Sequence, residues 1–174
     1  KSLWTPTSKK MPLPYLGYTD DELFPLVHGA FPAHCLLMMY PSWKYTPMVT
    51  LVVAGFYAML YVVLLTETSG GAAAQPLGST FNTLEDVMRH LSDRQNAFMA
   101  YVHFASFDLM VSRWIVADAW SQGIPHFLAA ASIPITWLLG PAGIIFYLGL
   151  KSGYIVVFQK DKLRKAPGKR RGAS

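Results

Sequence analysis

The chain of 174 residues is 52% hydrophobic and only 14% charged, with a formal net charge of +5. Soluble domains carry about 25% charged residues, so the composition excludes an ordinary water-soluble domain, and the length leaves room for one domain rather than two. A single cysteine, Cys35, excludes an intrachain disulfide.

Residues 1–22 form a polar arm with three prolines and the acidic group Asp20, Asp21 and Glu22. A first residue of Lys1 is what a removed targeting peptide would leave. The first apolar span, 23–40, is interrupted by Pro25 and Pro32, which membrane helices tolerate because neighbouring groups satisfy the freed carbonyls. Cys35 inside it reads as a small buried hydrophobe. Pro41 to Tyr45 is a tight turn carrying Trp43, Lys44 and Tyr45, the residues of a membrane interface. The second span, 47–65, has no charge.

Residues 66–79 are a Gly/Ala/Ser linker without periodicity. Phe81, Leu84, Val87, Met88 and Leu91 then recur at helical spacing, with Glu85, Asp86, Arg89 and His90 elsewhere, which predicts a short amphipathic helix on the membrane surface. Ser79 or Thr80 is its expected cap. The third span covers 95–120, Gly123, Ile124 and Pro125 make a turn, and the fourth span covers 126–150 with breaks at Pro134 and Gly140-Pro141. A basic tail fills 159–174. The predicted fold is an all-α integral membrane protein with four transmembrane helices over 23–158, a short amphipathic surface helix and extended termini.

Four spans place both termini and the 66–94 segment on one side. That side then holds thirteen of the 15 Lys and Arg residues, against Lys44 alone on the other, with Arg113 inside the third span. The positive-inside rule assigns the basic side to a cytoplasm or a plastid stroma. The tail suits an anionic lipid surface, and no segment resembles a nucleic-acid module, so no nucleic-acid partner is expected.

The third span carries His103, Asp108 and Arg113. Each ionisable group near the centre of an apolar span costs at least about 2.5 kcal/mol and usually marks a site. Counted from Gln95, they lie about 12, 20 and 27 Å deep, so Arg113 can snorkel to the far surface. Steps of about 100° put Asp108 about 140° from His103 and Arg113 a further 140° on. Asp108 and Arg113 are five apart and cannot pair on a straight helix, whereas Asp108 shares a face with Tyr101 and Ser112. Partners must come from another helix or a ligand. His28 and His34 in the first span are available, and His126 is the expected partner of Asp118 across the turn.

Two roles remain open for these groups. A buried Asp and Arg can simply cross-link a bundle, or they can build a ligand or catalytic site. His28 and His103 lie at similar depth and are candidate ligands for the magnesium of chlorophyll; a bis-histidine haem would need a second pair, which is absent. The chain has no phosphate loop, zinc spacing or nucleophile elbow, so no metal site is expected. Acid–base chemistry on a lipid-soluble substrate is what the residues permit, with Asp or His moving protons and Arg orienting an oxygen.

The core His103-x4-Asp108-Leu109-x3-Arg113-Trp114, followed by Asp118, Gly123-Ile-Pro-His126 and Gly140-Pro-Ala-Gly143, resembles the neoxanthin-synthase-like family, of the abscisic-acid-deficient type: small four-span membrane proteins of plastids and cyanobacteria. The match is close over 98–150. The family usually has a tryptophan where Tyr101 stands and a glycine where Ser112 stands. The resemblance implies isomerisation of an epoxycarotenoid, violaxanthin, to an allenic xanthophyll in a thylakoid or inner-envelope membrane, with both termini stromal. It implies His103, Asp108 and Arg113 as catalytic residues, and Tyr101, Trp114, Asp118, His126, His28 and His34 as ligand-binding ones. Carotenoid, and chlorophyll with it, are the pigments such a site would bind. The alternative is a non-catalytic pigment-binding subunit docked on a photosystem or light-harvesting complex, with arm, tail and surface helix as docking elements.

Overall fold

The computed structural model describes residues 16–69 and 82–159, and all their regular structure is helical. The first span resolves into two short helices, α1 (Asp20–Val27) and α2 (Ala30–Met39). Thr19 opens α1 with a capping box: its hydroxyl accepts from the Glu22 N–H, and the Glu22 carboxylate accepts from the Thr19 N–H at 2.8 Å. The acidic group expected in the arm is therefore the first turn of a helix, where it complements the helix dipole. Pro32 explains the break. It lacks an N–H, and its ring excludes the carbonyl of His28, four residues earlier. The chain crosses His28 and Gly29 on tighter bonds, with the Gly29 N–H donating to Leu26 O at 3.0 Å and the Phe31 N–H to His28 O at 3.1 Å.

α3 (Thr46–Ser69) follows the aromatic turn, whose Thr46 hydroxyl donates to Tyr40 O at 2.6 Å. From α3 the Tyr57 hydroxyl reaches across to Leu26 O at 2.6 Å and fixes the α1–α2 kink. A Cβ on Gly29 would stand 2.7 Å from that hydroxyl, so a larger residue there would push the Tyr57 hydroxyl off its place. α4 (Leu84–Ser92) is the expected amphipathic helix, but Thr83 caps it, its hydroxyl accepting from the Asp86 N–H at 3.2 Å. Phe81 and the expected caps Ser79 and Thr80 lie outside the described residues. Leu84, Met88 and Leu91 form an exposed apolar stripe along it.

α5 (Arg94–Ser121) has 28 residues, about 42 Å, and touches every other helix. At its start Arg94 pairs with Asp20 and Asp21, tying it to the start of α1. At its end Gly123 adopts φ +64, with the Ile124 N–H donating to Ala119 O at 2.9 Å and the Gly123 N–H to Trp120 O at 3.1 Å. This is a Schellman stop.

The expected fourth span is not one helix. α6 (His126–Leu139) runs back along α5 and stops at Gly140, whose φ of +53 and ψ of −110 turn the chain into α7 (Pro141–Phe158). Pro141 suits the first position of a helix, where its missing N–H costs nothing. α7 then reverses along α6. Gly143 lies so close to Thr136 that a Cβ would stand 2.6 Å from the Thr136 Cα. Tyr147 and Lys151 reach Asp118 near the end of α5, and the Gln159 amide donates to Gln122 O at 3.1 Å. α6 and α7 thus form a hairpin over the C-terminal half of α5. The described chain begins at the Arg94 end of the bundle and finishes at the Gln122 end, whereas four full spans would bring both to one end. Lys151 moves with it to the Asp118 end.

The bundle is apolar outside and partly polar inside. Phe, Met, Leu and Val of α3, α6 and α7 face outward, while Thr46, Thr50, Ser106, Ser112, Ser132 and Thr136 are buried. Most of these hydroxyls are satisfied: Ser106 donates to Ala54 O at 3.0 Å and Thr136 to Ser132 O at 3.0 Å. Small residues at helix contacts are how helices approach closely in lipid. Two described helices are long and apolar enough to cross a membrane by length and composition, Thr46–Thr66 at mean hydropathy 2.4 and Pro141–Phe158 at 1.5.

Candidate functional site

The residues that gather around one point sit halfway along α5, where the α6–α7 hairpin turns. Asp108 points toward that turn, its Oδ1 3.5 Å from where a Gly140 Cβ would be. The carboxyl has no hydrogen-bond partner among the described residues. From α2, His34 faces the Asp108 backbone. His34 is only 3% exposed, and its ring lies 6.4 Å from that of Trp137, three residues before the turn.

The imidazole is set in one tautomer. Nδ1 lies 2.8 Å from Ala30 O, an acceptor, so Nδ1 carries the proton and donates. Nε2 is fully buried and has no hydrogen-bond partner within ordinary distance and angle. An unpaired buried polar atom costs roughly 1–3 kcal/mol and calls for an explanation. One turn beyond Asp108, Ser112 is fully buried too, and its Oγ also lacks a partner. Three polar groups with unused bonding capacity thus sit in the middle of an apolar bundle, beside a turn held by Gly140 and Gly143.

The other sequence-derived residues lie elsewhere. His103 faces α3, its ring 5.1 Å from Tyr61 and stacked on Phe107 at 5.5 Å. Arg113 also turns to α3, donating through Nη1 to Pro47 O and to the Thr50 hydroxyl at 2.5 Å. His103, Asp108 and Arg113 are therefore not one constellation: the 140° steps between them point Asp108 at the hairpin and the other two at opposite ends of α3. Tyr101 stacks on Phe24 at 5.7 Å, and His28 meets the same Phe24 edge-on at 5.3 Å while its Nδ1 bonds Pro25 O at 3.3 Å. His28 and His103 thus lie on different sides of α5 and do not face a common ligand.

Asp118 does not pair with His126. The Schellman turn swings His126 toward α2, where Nε2 bonds Met38 O at 3.0 Å. Asp118 is instead held by the Tyr147 hydroxyl and the Lys151 ammonium, each at 2.6 Å. Trp114 packs edge-on against Tyr147 at 5.9 Å. Sequence reasoning missed this knot, although Tyr147 and Lys151 stand four apart on one face of α7, which is the spacing that lets two side chains reach one acceptor. It also missed that Gly140 and Gly143 belong to the site.

No group of three or more metal-ligating side chains occurs among the described residues. No curated protein and no solved structure matches the chain. The family model described as ABA DEFICIENT 4-like matches residues 23–147, from the start of the α1 core to Tyr147. That range contains His34, Asp108 and the Gly140–Gly143 turn, so the chain belongs to the ABA DEFICIENT 4-like family.

Proposed function

We propose that the protein is a membrane-embedded, neoxanthin-synthase-like isomerase that opens the epoxide of an epoxycarotenoid such as violaxanthin to an allenic alcohol. The observation that carries this reading is the buried, unpartnered Nε2 of His34, on a ring that lies against the backbone of Asp108. The reaction is an isomerisation. A C–H bond on the vinylic carbon next to the epoxide breaks, the allenic double bond forms, the C–O bond breaks, and the oxygen gains a proton. It balances with one proton accepted and one delivered, without an oxidant or reductant. His34 Nε2 takes the carbon-bound proton and Asp108 supplies the oxygen with one. The pair then exchanges the proton back. General acid and base catalysis of this kind contributes about 10²–10⁴-fold each.

The setting agrees with the membrane theme of the family. The apolar exterior and the hydroxyl-lined interior suit lipid, and a hydrophobic substrate reaches mid-bundle depth without crossing water. In this proposal α1–α2, α3 and α5 traverse a plastid membrane and the α6–α7 hairpin enters from one side. The segment after Gln159, which carries seven Lys and Arg, leaves from the Lys44 end. The positive-inside rule makes that end stromal.

The test is expression in cells that make violaxanthin but no allenic xanthophyll. The wild-type chain produces neoxanthin, and His103→Ala still does. His34→Gln and Asp108→Asn each remove the product while the protein stays in the membrane. No neoxanthin from the wild type, with photosystem or antenna subunits co-purifying from plastids, would refute the enzyme and favour a docking subunit.

A further inference from the structure

At the Lys44 end of the bundle a cleft of about 480 Å³ opens between the aromatic turn and α5. This lies within the size range of small-molecule sites, about 300–1,000 Å³. Leu37, Val116, Trp43 and Trp120 give it apolar walls, and Lys44 and Arg113 give it two cations. No carboxylate lines it. Asp118, the nearest acid along α5, is spent on Tyr147 and Lys151. Arg113 uses a single nitrogen for its hydrogen bonds to Pro47 O and Thr50. Its Nε and Nη2 bond no described residue.

We propose that this cleft binds the headgroup of an anionic phospholipid, with the glycerol and upper acyl chains along its walls. Charge complementarity selects the occupant: Lys44 is exposed, its ammonium 4.7 Å from the Tyr45 ring, and with Arg113 it makes a positive cleft with no acid in its lining, which attracts an anion. The tryptophans at the mouth are 47% and 64% exposed, as interfacial anchors are, and they place the cleft at headgroup depth. A free inorganic anion would gain nothing from the apolar walls. A lipid uses both halves of the site. Arg113 is well suited, since a guanidinium matches phosphate oxygens in a fork. This inference requires only that the protein sits in a bilayer, and it stands or falls separately from the isomerase reading.

The test is native mass spectrometry of the full chain in detergent, titrated with phosphatidylglycerol or with phosphatidylcholine of the same acyl chains. The wild type and His34→Gln prefer phosphatidylglycerol by about tenfold, equivalent to about 1.4 kcal/mol. Lys44→Gln and Arg113→Gln bring the two lipids to parity, and Lys44→Arg keeps the preference. Arg113 also holds the start of α3, so Lys44→Gln, which breaks no hydrogen bond, decides if Arg113→Gln misfolds. Equal affinity for the two lipids in the wild type would overturn the proposal. So would an unchanged preference in Lys44→Gln, or displacement of phosphatidylglycerol by millimolar inorganic phosphate, which would mark a free-anion site.

Discussion

Replacing Gly143 by alanine should open the α6–α7 hairpin. The added Cβ would stand 2.5 Å from the Thr136 N and 2.6 Å from its Cα, whereas ordinary contact begins at 3.4 Å. Turning the Thr136 hydroxyl away leaves the backbone obstruction in place, so in a close-packed interior the helices must part by roughly 0.9 Å, the difference between 3.4 and 2.5 Å. Overpacking of this kind costs about 1–3 kcal/mol, and an immovable backbone puts Gly143→Ala at the upper end. Gly149 and Gly153 on the same helix are internal controls: nothing lies within 4 Å of either Cβ position. Alanine there should stabilise by about 0.5–1 kcal/mol through helix propensity. Unfolding in mixed micelles, followed by circular dichroism against denaturing detergent, reads all three variants on one scale. Opening the hairpin also moves Gly140 off Asp108, so the proposed isomerase activity should fall with Gly143→Ala and persist in the controls. Equal stability of Gly143→Ala and Gly149→Ala would refute the close approach and with it the reversal of α7.

The Asp118 knot should behave as a coupled unit. Tyr147→Phe and Lys151→Met each remove one hydrogen bond to a carboxylate whose side chain is 17% exposed, at a cost of about 1–2 kcal/mol after allowing for partial solvation. Lys151→Met combined with Asp118→Asn should cost less than the two changes summed, and strict additivity in a double-mutant cycle would refute the coupling. The chain ends should label from opposite faces: in a Cys35→Ser background, Tyr18→Cys and Gln159→Cys should react with an impermeant maleimide from different sides of sealed vesicles. Labelling from one face would restore the four-span arrangement.

Asp108 was legible as a buried group in need of a partner, because helix angles show what cannot pair within one helix. They do not show which other helix arrives, and His34 was one of several available histidines until its tautomer and burial singled it out. Gly140-Pro141 was legible as a break in an apolar run. Hydropathy is blind to direction, however: a kinked span and a hairpin contain the same apolar residues, and the outcome rests on the φ of Gly140 and on the missing Cβ of Gly143. The α1–α2 kink was half legible, since the prolines were evident but the break falls four residues before Pro32. Asp118 was misassigned because His126 is near in sequence. Its actual partners are 29 and 33 residues away and arrive only when α7 folds back.

The hairpin has a mechanical consequence. The half of the bundle near Gln122 is built from α2, α3, α5, α6 and α7, whereas the half near Arg94 has α1, α3 and α5 with the short α4 against the start of α5. Set in a bilayer, such a body is a wedge, broad in one leaflet and narrow in the other, and lipid must fill the space beneath Gly140. Bending the bilayer to compress the narrow leaflet shrinks that space, and bending it the other way enlarges it. Membrane curvature thereby becomes a force applied to the turn that holds Gly140 against Asp108.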